Sequence, residues 1–407
     1  MVTGWKTKRL GDIAEICMCK RIFAEQTTVS GDIPFFKIGT FGKTPNAYIS
    51  RSLFEKYKKE YSFPDKGDIL LSAAGTLGKT VIYDGSPAYF QDSNIVWLKI
   101  DRKQITNEYL KQYYNVINWA SPEGSTISRL YNGIIQATTV NLPPLSEQSA
   151  IATSLSDADS LIASLQKLIA KKKAIKQGAM QELLTGKRRL PGFSGEWKTK
   201  KIKEIAHVCS EKNAAHEKLN VLTCSKHFGF VDSLSYFKNQ VFSKDTSGYK
   251  VIYKNQIGYP ANHIEEGAIG LQNLYEKALV SPIYIVFSVT DSVDSFFLHR
   301  LLKLDSYKNI FATETCSSVD RRGSLRWPAF SEVEVSLPDI VEQREVAKVL
   351  SDMDTEIEKL EKKLSEYQKI KQGMMQELLT GRIRLINAEP KQEQQVTKSV
   401  ERQPAVR

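Results

Sequence analysis

Residues 145–190 read LSEQSAIATSLSDADSLIASLQKLIAKKKAIKQGAMQELLTGKRRL, and residues 340–385 read IVEQREVAKVLSDMDTEIEKLEKKLSEYQKIKQGMMQELLTGRIRL. The two stretches align without a gap at an offset of 195, Gly373 answering Gly178. A repeat of this length decides the architecture before any local signal is weighed. A second echo stands at the head of each half. Gly4-Trp5-Lys6-Thr7-Lys8, with Ile13-Ala14 and Cys17 beyond it, matches Glu196-Trp197-Lys198-Thr199-Lys200, followed by Ile205-Ala206 and Cys209. The chain is one unit written twice, a globular part followed by a long helix. Between the echoes, residues 20–140 and 212–335 share little beyond the order of their elements. Such a chain suits the holding of two different readers at a fixed separation.

Both repeats are helical by period. In the second copy Val346, Leu350, Met353, Ile357, Leu360, Leu364, Tyr367, Lys371, Met374 and Leu378 alternate spacings of four and three, a heptad seam. The first copy keeps the phase with Ile151, Leu155, Ala158, Ile162, Leu165 and Ile169, then Lys172 and Lys176, then Ala179 and Leu183. Each helix opens after Pro143-Pro144 or Pro338 and stops at Gly186 or Gly381, residues suited to a C-terminal cap. About 40 residues at about 1.5 Å each make a rod of roughly 60 Å. Two such rods bury their seams most economically against each other, antiparallel, which predicts a dumbbell with an approximate two-fold axis. Lys172, Lys176 and Lys371 interrupt the seam. There the pairing loosens, another protein packs, or the irregularity is simply tolerated.

The chain has 407 residues, enough for two cored domains and connecting helices. Lys and Arg number 57 against 46 Asp and Glu, a net charge of +11 that favours a polyanionic partner such as nucleic acid. No apolar run is long enough to span a membrane, and MVTGWKTKRL lacks the apolar core of a signal peptide, so a cytoplasmic protein without a membrane partner is expected. Cys17, Cys19, Cys209, Cys224 and Cys316 are odd in number and lack a paired CxxC spacing. They read as small buried apolar residues rather than as a disulfide framework or zinc site. His207, His216, His227, His263 and His299 form no HExxH-like pair, and no metal site is expected.

Strands are expected at 67–72, 80–83 and 94–98 in the first half and at 256–259, 268–271 and 282–289 in the second. Each set precedes a helix (108–119, 295–304) and a short strand running into Leu-Pro (140–143, 335–338). Signals of catalysis fail on inspection. Gly75-Thr76-Leu77-Gly78-Lys79-Thr80 has Ala73 where a phosphate loop needs its first glycine, and a strand rather than a helix follows. Asn141-Leu142-Pro143-Pro144 has the wrong order for the Asn-Pro-Pro-aromatic tetrapeptide of amino-methyltransferases. No acid/base or metal-carboxylate constellation emerges.

The polar loops suit DNA. The first half offers Lys37, Thr40, Lys43, Ser72, Thr76, Lys79, Gln91, Ser93, Asn94, Ser128 and Arg129, and the second Lys226, Asn262, His263, Gln272, Asn273, Arg321, Arg322 and Arg326. Arg, Asn and Gln can address base edges bidentately, whereas Lys and Ser more often hold phosphates. Three guanidiniums beside Trp327 make 321–327 the densest of these clusters. For any one of these residues the plain alternative is a solvated surface side chain.

Over about residues 1–385 the chain resembles the specificity subunit of a bacterial type I restriction-modification system. The resemblance rests on the Leu-Pro entry to each helix that ends in Glu-Gln (Leu142 to Gln148, Leu337 to Gln343). It rests too on the Met-Gln-Glu-Leu-Leu-Thr-Gly exit (Met180 to Gly186, Met375 to Gly381) and on Gly-Asp-Ile-Leu-Leu-Ser at 67–72. The second half departs from the last motif, with Lys254-Asn255-Gln256-Ile257-Gly258-Tyr259 in its place.

The resemblance implies an α+β fold in which two mixed α/β target-recognition domains are separated by two long helices forming an antiparallel coiled coil. The expected boundaries are 1–143 for the first recognition domain, 144–189 for the first helical spacer, 190–338 for the second domain, 339–385 for the second spacer and 386–407 for a polar tail read as disordered. It implies a non-catalytic subunit that is not itself an enzyme, each domain reading one half of a bipartite, asymmetric site in double-stranded DNA. The helices would set the unread gap and dock two methyltransferase subunits, a role suited to a pseudo-two-fold platform. No cofactor is expected in this chain. S-adenosylmethionine, ATP and magnesium would belong to partner subunits, with restriction subunits as optional further partners, and DNA would place the protein at the nucleoid. The alternative is a scaffold or inhibitory binder of methyltransferase subunits that reads no DNA.

Overall fold

Each globular part is closed by its own two ends. Lys6–Arg9 pairs antiparallel with Thr139–Leu142, and Lys198–Lys201 pairs in the same way with Glu334–Leu337. The chain therefore leaves each domain where it entered, and a long helix starts a few residues later. The structure, a computed structural model, describes residues 4–117, 119, 129–316 and 324–385. These fall into two units, one formed by residues up to 164 with those from 364 onward, the other by residues 165–363.

The first unit is built on a four-stranded antiparallel sheet in which Ile69–Ser72 lies between Ile95–Ile100 and Thr80–Ile82, with Ala14–Cys17 on the far side of Ile95–Ile100. Ile69–Ser72 is buried along its whole length because both faces of the sheet are covered. Ile69 and Leu71 face a core shared with Tyr109 and Leu110 of the helix Asn107–Tyr114 and with Ile151 and Leu155 of the first long helix. Leu70 points the other way, into a core with Phe35 and Tyr89 from a three-stranded sheet of Tyr48–Ile49, Ile33–Phe36 and Tyr89–Phe90. That small sheet and the helix Arg51–Glu60, absent from the sequence reading, lie within the part of the chain that differs between the halves.

The second unit repeats the plan. Ile257–Pro260 lies between Tyr284–Val289 and Gly270–Leu271, with Ala206–Cys209 beyond Tyr284–Val289. It thus fills the place of the Gly-Asp-Ile-Leu-Leu-Ser strand that the sequence lacks here. Ile257 and Tyr259 face Phe297, Leu301 and Leu350, as Ile69 and Leu71 face their helix. Where Leu70 points outward in the first domain, the second has Gly258, because Phe230 already occupies that face; a Cβ on Gly258 would lie 3.0 Å from Phe230 Cζ. The motif was lost to a volume exchange that left the strand in place.

The long helices are Leu145–Leu183 and Ile340–Thr380, of 39 and 41 residues. Their seams are buried as the period predicts, Ile151, Leu155, Leu165, Ile169 and Leu183 in one, Val346, Leu350, Ile357 and Leu378 in the other. Both end on glycines with positive φ, +69° at Gly186 and +76° at Gly381, a left-handed turn that favours glycine. Within each unit the helices run antiparallel. In the first, Glu147 meets Arg384 and Asp159 meets Lys371; in the second, Lys172 meets Glu356 and Arg189 meets Glu342.

The seam lysines are neither loose nor vacant. Lys172 lies 2.8 Å from Glu356, Lys371 lies 2.5 Å from Asp159, and Lys176 pairs with Asp354, which also binds Arg300 at 2.6 Å. Each replaces an apolar contact with an ion pair to the opposite helix, an arrangement that fixes register more than it adds stability. The tail from 386 onward lies outside the described residues.

Candidate nucleic-acid interface

The Glu-Gln pair at each helix entry is what holds a globular domain in place. Gln148 is wholly buried; its Oε1 accepts from the Thr106 N–H at 3.0 Å while its Nε2 donates to Gln104 O and Pro143 O. Gln343 does the same with Asp294 N–H, Ser292 O and Pro338 O. Each glutamine ties the helix entry to the loop before the domain's own helix, with every polar atom matched.

The glutamates complete a second tie. Glu147 accepts two bonds from Arg384, at 2.7 and 2.8 Å, and one from Trp5 Nε1 at 3.1 Å. Glu342 takes a bidentate pair from Arg189, both at 2.5 Å. The arginines lie over the repeat's two tryptophans, Trp5 and Trp197. Burial alone would push the Glu147 carboxyl up, but the bonds from Arg384 and Trp5 outweigh it and its pKa is lowered. Thus the Glu-Gln entry motif, in both copies, is a joint between domain and helix pair.

What is presented is similar in both domains. In the first, the loop after the central strand receives the segment before the final strand, Leu130 N–H donating to Ala73 O at 2.8 Å and Arg129 bridging Ala74. In the second, Leu325 N–H donates to Ala261 O at 2.8 Å. The same backbone frame therefore brings Arg129, just before its leucine, to the Ala73–Ala74 loop and leaves Arg326 just after the leucine that is tied to Ala261. Different side chains stand on equivalent supports.

In the first domain Lys37, Gln91, Asn94 and Arg129 line one open pocket of about 440 Å³, together with Phe23, Arg21, Asp92 and Ser93. Arg21 and Asp92 form an ion pair at 2.8 Å, and Ser93 takes a φ of +60°, turning the 92–94 corner so that Asn94 faces the pocket. Sequence reasoning missed Arg21 and Phe23; neither falls in a polar run, and only the fold of the Cys19–Thr27 segment brings them in. Lys43 and Thr76 are exposed but do not line that pocket.

Other expected contacts are corrected. Ser72 is buried, its Oγ donating to Thr76 O and accepting from Lys79 N–H. Lys79 turns its ammonium to Phe41 O at 2.5 Å, and Thr40 exchanges bonds with Lys37 backbone atoms to cap a short turn. Gly78 is kept small by Trp119, whose Cδ1 would lie 2.1 Å from a Cβ there, and the loop joins two antiparallel strands as a hairpin where a phosphate loop would lead into a helix. In the second domain Gln272 is wholly buried, its Oε1 accepting from Leu274 and Tyr275 N–H and its Nε2 donating to Tyr275 O. A side chain wholly buried and turned to its own loop is out of reach of a base.

Lys226 and His263 remain exposed, both turned to Glu266 at 4.0 and 3.4 Å. Asn262 is half-buried, and Asn273 and Arg326 are exposed. His263, Glu265 and Glu266 cluster closely enough to hold a cation, but His263 and Glu266 are exposed and already paired with each other. Ser128, Arg321 and Arg322 lie outside the described residues. No helix among the described residues is long and apolar enough to cross a membrane.

Two like domains, each jointed to antiparallel helices and each presenting polar loops of its own, define a protein built from one unit used twice. The description of type I restriction modification DNA specificity domains matches residues 3–175 and 194–368, each match running from a globular part into a long helix. The chain belongs to that family. It is 52% identical over 160 residues to a putative type I restriction enzyme specificity subunit of Haemophilus influenzae, an alignment spanning 39% of this chain and 42% of that protein. A putative type I restriction enzyme specificity subunit of Methanocaldococcus jannaschii is 24% identical over 415 residues, 94% of either chain. The fold is that of the type I restriction-modification S subunit of M. genitalium, at a TM-score of 0.56 and 16% identity over 92% of this chain and 96% of that one.

Proposed function

We propose that the chain is the DNA-reading subunit of a type I restriction-modification complex, each domain reading one half of a bipartite site in double-stranded DNA. The long helices set the gap between the halves and dock two methyltransferase subunits, which supply S-adenosylmethionine, while optional restriction subunits supply ATP- and magnesium-dependent steps. The chain itself contributes recognition and no chemistry. The observation that supports this best is the shared frame with unlike side chains: Leu130 to Ala73 in one domain, Leu325 to Ala261 in the other. A fixed frame with variable polar tips is what base reading demands, because position comes from backbone and discrimination from side chains.

The test is an exchange. The intact complex with residues 20–140 taken from a related subunit is expected to methylate a motif altered in one half and unchanged in the other, as mapped by sequencing methylated host DNA. Changes in both halves, or in neither, overturn the paired-reader proposal. An assembled complex with no sequence preference in DNA binding would instead identify a scaffold.

A further inference from the structure

Gln91 differs from a free glutamine on a surface. Its backbone N–H donates to Phe36 O at 2.9 Å and its carbonyl accepts from Ile95 N–H at 3.2 Å, so the main chain is held on both sides. Its side chain is held as well, Oε1 accepting from the Ile38 N–H at 2.8 Å. Chemistry settles the orientation of that amide, since an N–H can be met only by the oxygen. What is left facing the pocket, with no hydrogen-bond partner among the described residues, is the Nε2 amino group. Asn94, three residues on, lines the same pocket. The bidentate adenine contact open to a free amide needs oxygen and nitrogen together, to meet the N6 donor and the N7 acceptor.

We propose that Gln91 reads its base pair chiefly through its Nε2 donor, favouring an acceptor edge such as guanine O6 or thymine O4, because the Ile38 N–H holds the oxygen end of the amide to the protein's own backbone. This deepens the paired-reader proposal and rests on it. The contact is set by the backbone of the Ile38–Thr40 turn, which holds one end of the amide, and it assigns one base position in the half-site of the first domain.

The variant that tests this is Gln91→Glu, which keeps an oxygen for Ile38 N–H and replaces the outward donor with an acceptor. The complex of full-length chain and methyltransferase subunits is assayed on duplex oligonucleotides bearing its methylated motif, with each base pair substituted in turn. The wild type is expected to favour an acceptor edge at one position by on the order of tenfold, and Gln91→Glu to lose or reverse that preference in favour of a donor such as the cytosine amine. Gln91→Ala, which keeps neither function, is expected to flatten the preference without reversing it, and it serves should Gln91→Glu fold poorly by thermal melting. An unchanged motif in both variants, or uniform weakening at every position as for a phosphate contact, overturns the proposal. The exchange of residues 20–140 separates the two levels. If it alters the motif while the Gln91 variants do not, only this inference falls; if it does not alter the motif, the paired-reader proposal falls as well.

Discussion

His299 shows how much a single ring can owe to where the fold puts it. It sits on the helix Ser295–Leu302 with Nε2 at 3.3 Å from Ile269 O, so the ring nitrogen donates to that carbonyl. Burial, with Lys303 and Arg300 adding repulsion, pushes its pKa from 6.5 down to about 3. The folded chain therefore resists the proton that the unfolded chain accepts. Stability from this residue is complete above pH 6.5 and declines as the pH falls toward 3, by at most about 1.4 kcal/mol per unit and by less for the part of the ring that reaches solvent. His299→Gln keeps a donor for Ile269 O without a titrating group. In urea unfolding at pH 7 and pH 4, the wild type is expected to lose about 2 kcal/mol more than the variant; equal losses would show that the ring titrates freely. Residue-scale detail of this kind is the least legible in sequence. Ser72 and Gln272 are as polar as Asn94, yet the fold buries the first two against their own loops and leaves Asn94 to the pocket.

Elements were legible where a period or a repeat spoke for them. The heptad seam gave both helices and their antiparallel partnership, and the short runs at 67–72 and 256–259 located the central strands. The small sheet around Ile33–Phe36 and the hairpin Leu222–Asp232 were not found, since short strands in stretches unique to one half carry no second copy to confirm them. Nor did the period disclose that Lys172, Lys176 and Lys371 meet carboxylates across the seam, because the partner's register appears only once the helices are paired. That register dictates how an insertion must be made. Asp159 faces Lys371, so a heptad added after Ile162 is matched by one added after Tyr367, at the same level of the pair. Each lengthens its helix by roughly 10 Å, about three base pairs at about 3.4 Å of rise. The complex is expected to methylate the same two half-sequences with a gap longer by about three base pairs. Robust methylation at the original gap would show that the helices do not set the distance.

At the scale of the molecule the joints are alike, differing in that Trp5 Nε1 donates to Glu147 while Trp197 Nε1 has no partner among the described residues. Gln148 and Gln343 make the same three bonds, and Glu147 and Glu342 bind arginines stacked on equivalent tryptophans. A domain that fits one joint should fit the other. A chain carrying residues 20–140 in place of 212–335 as well as in their own position is expected to fold, and its complex to methylate a site whose two halves are the same sequence in inverted order. A motif that remains asymmetric would mean that the joints, and not the loops alone, contribute to reading. The repeat has a further consequence for the chain. The stretches 145–190 and 340–385 align without a gap, so a deletion running from any point in the first to the equivalent point in the second would remove 195 residues and leave one continuous helix. The product retains one reader, one hybrid helix and one intact set of joint residues, whose complement now lies on a second copy of itself. A repeat with its joints at both ends thus implies a shorter form of the same fold, completed by pairing with itself, in which one domain would serve twice.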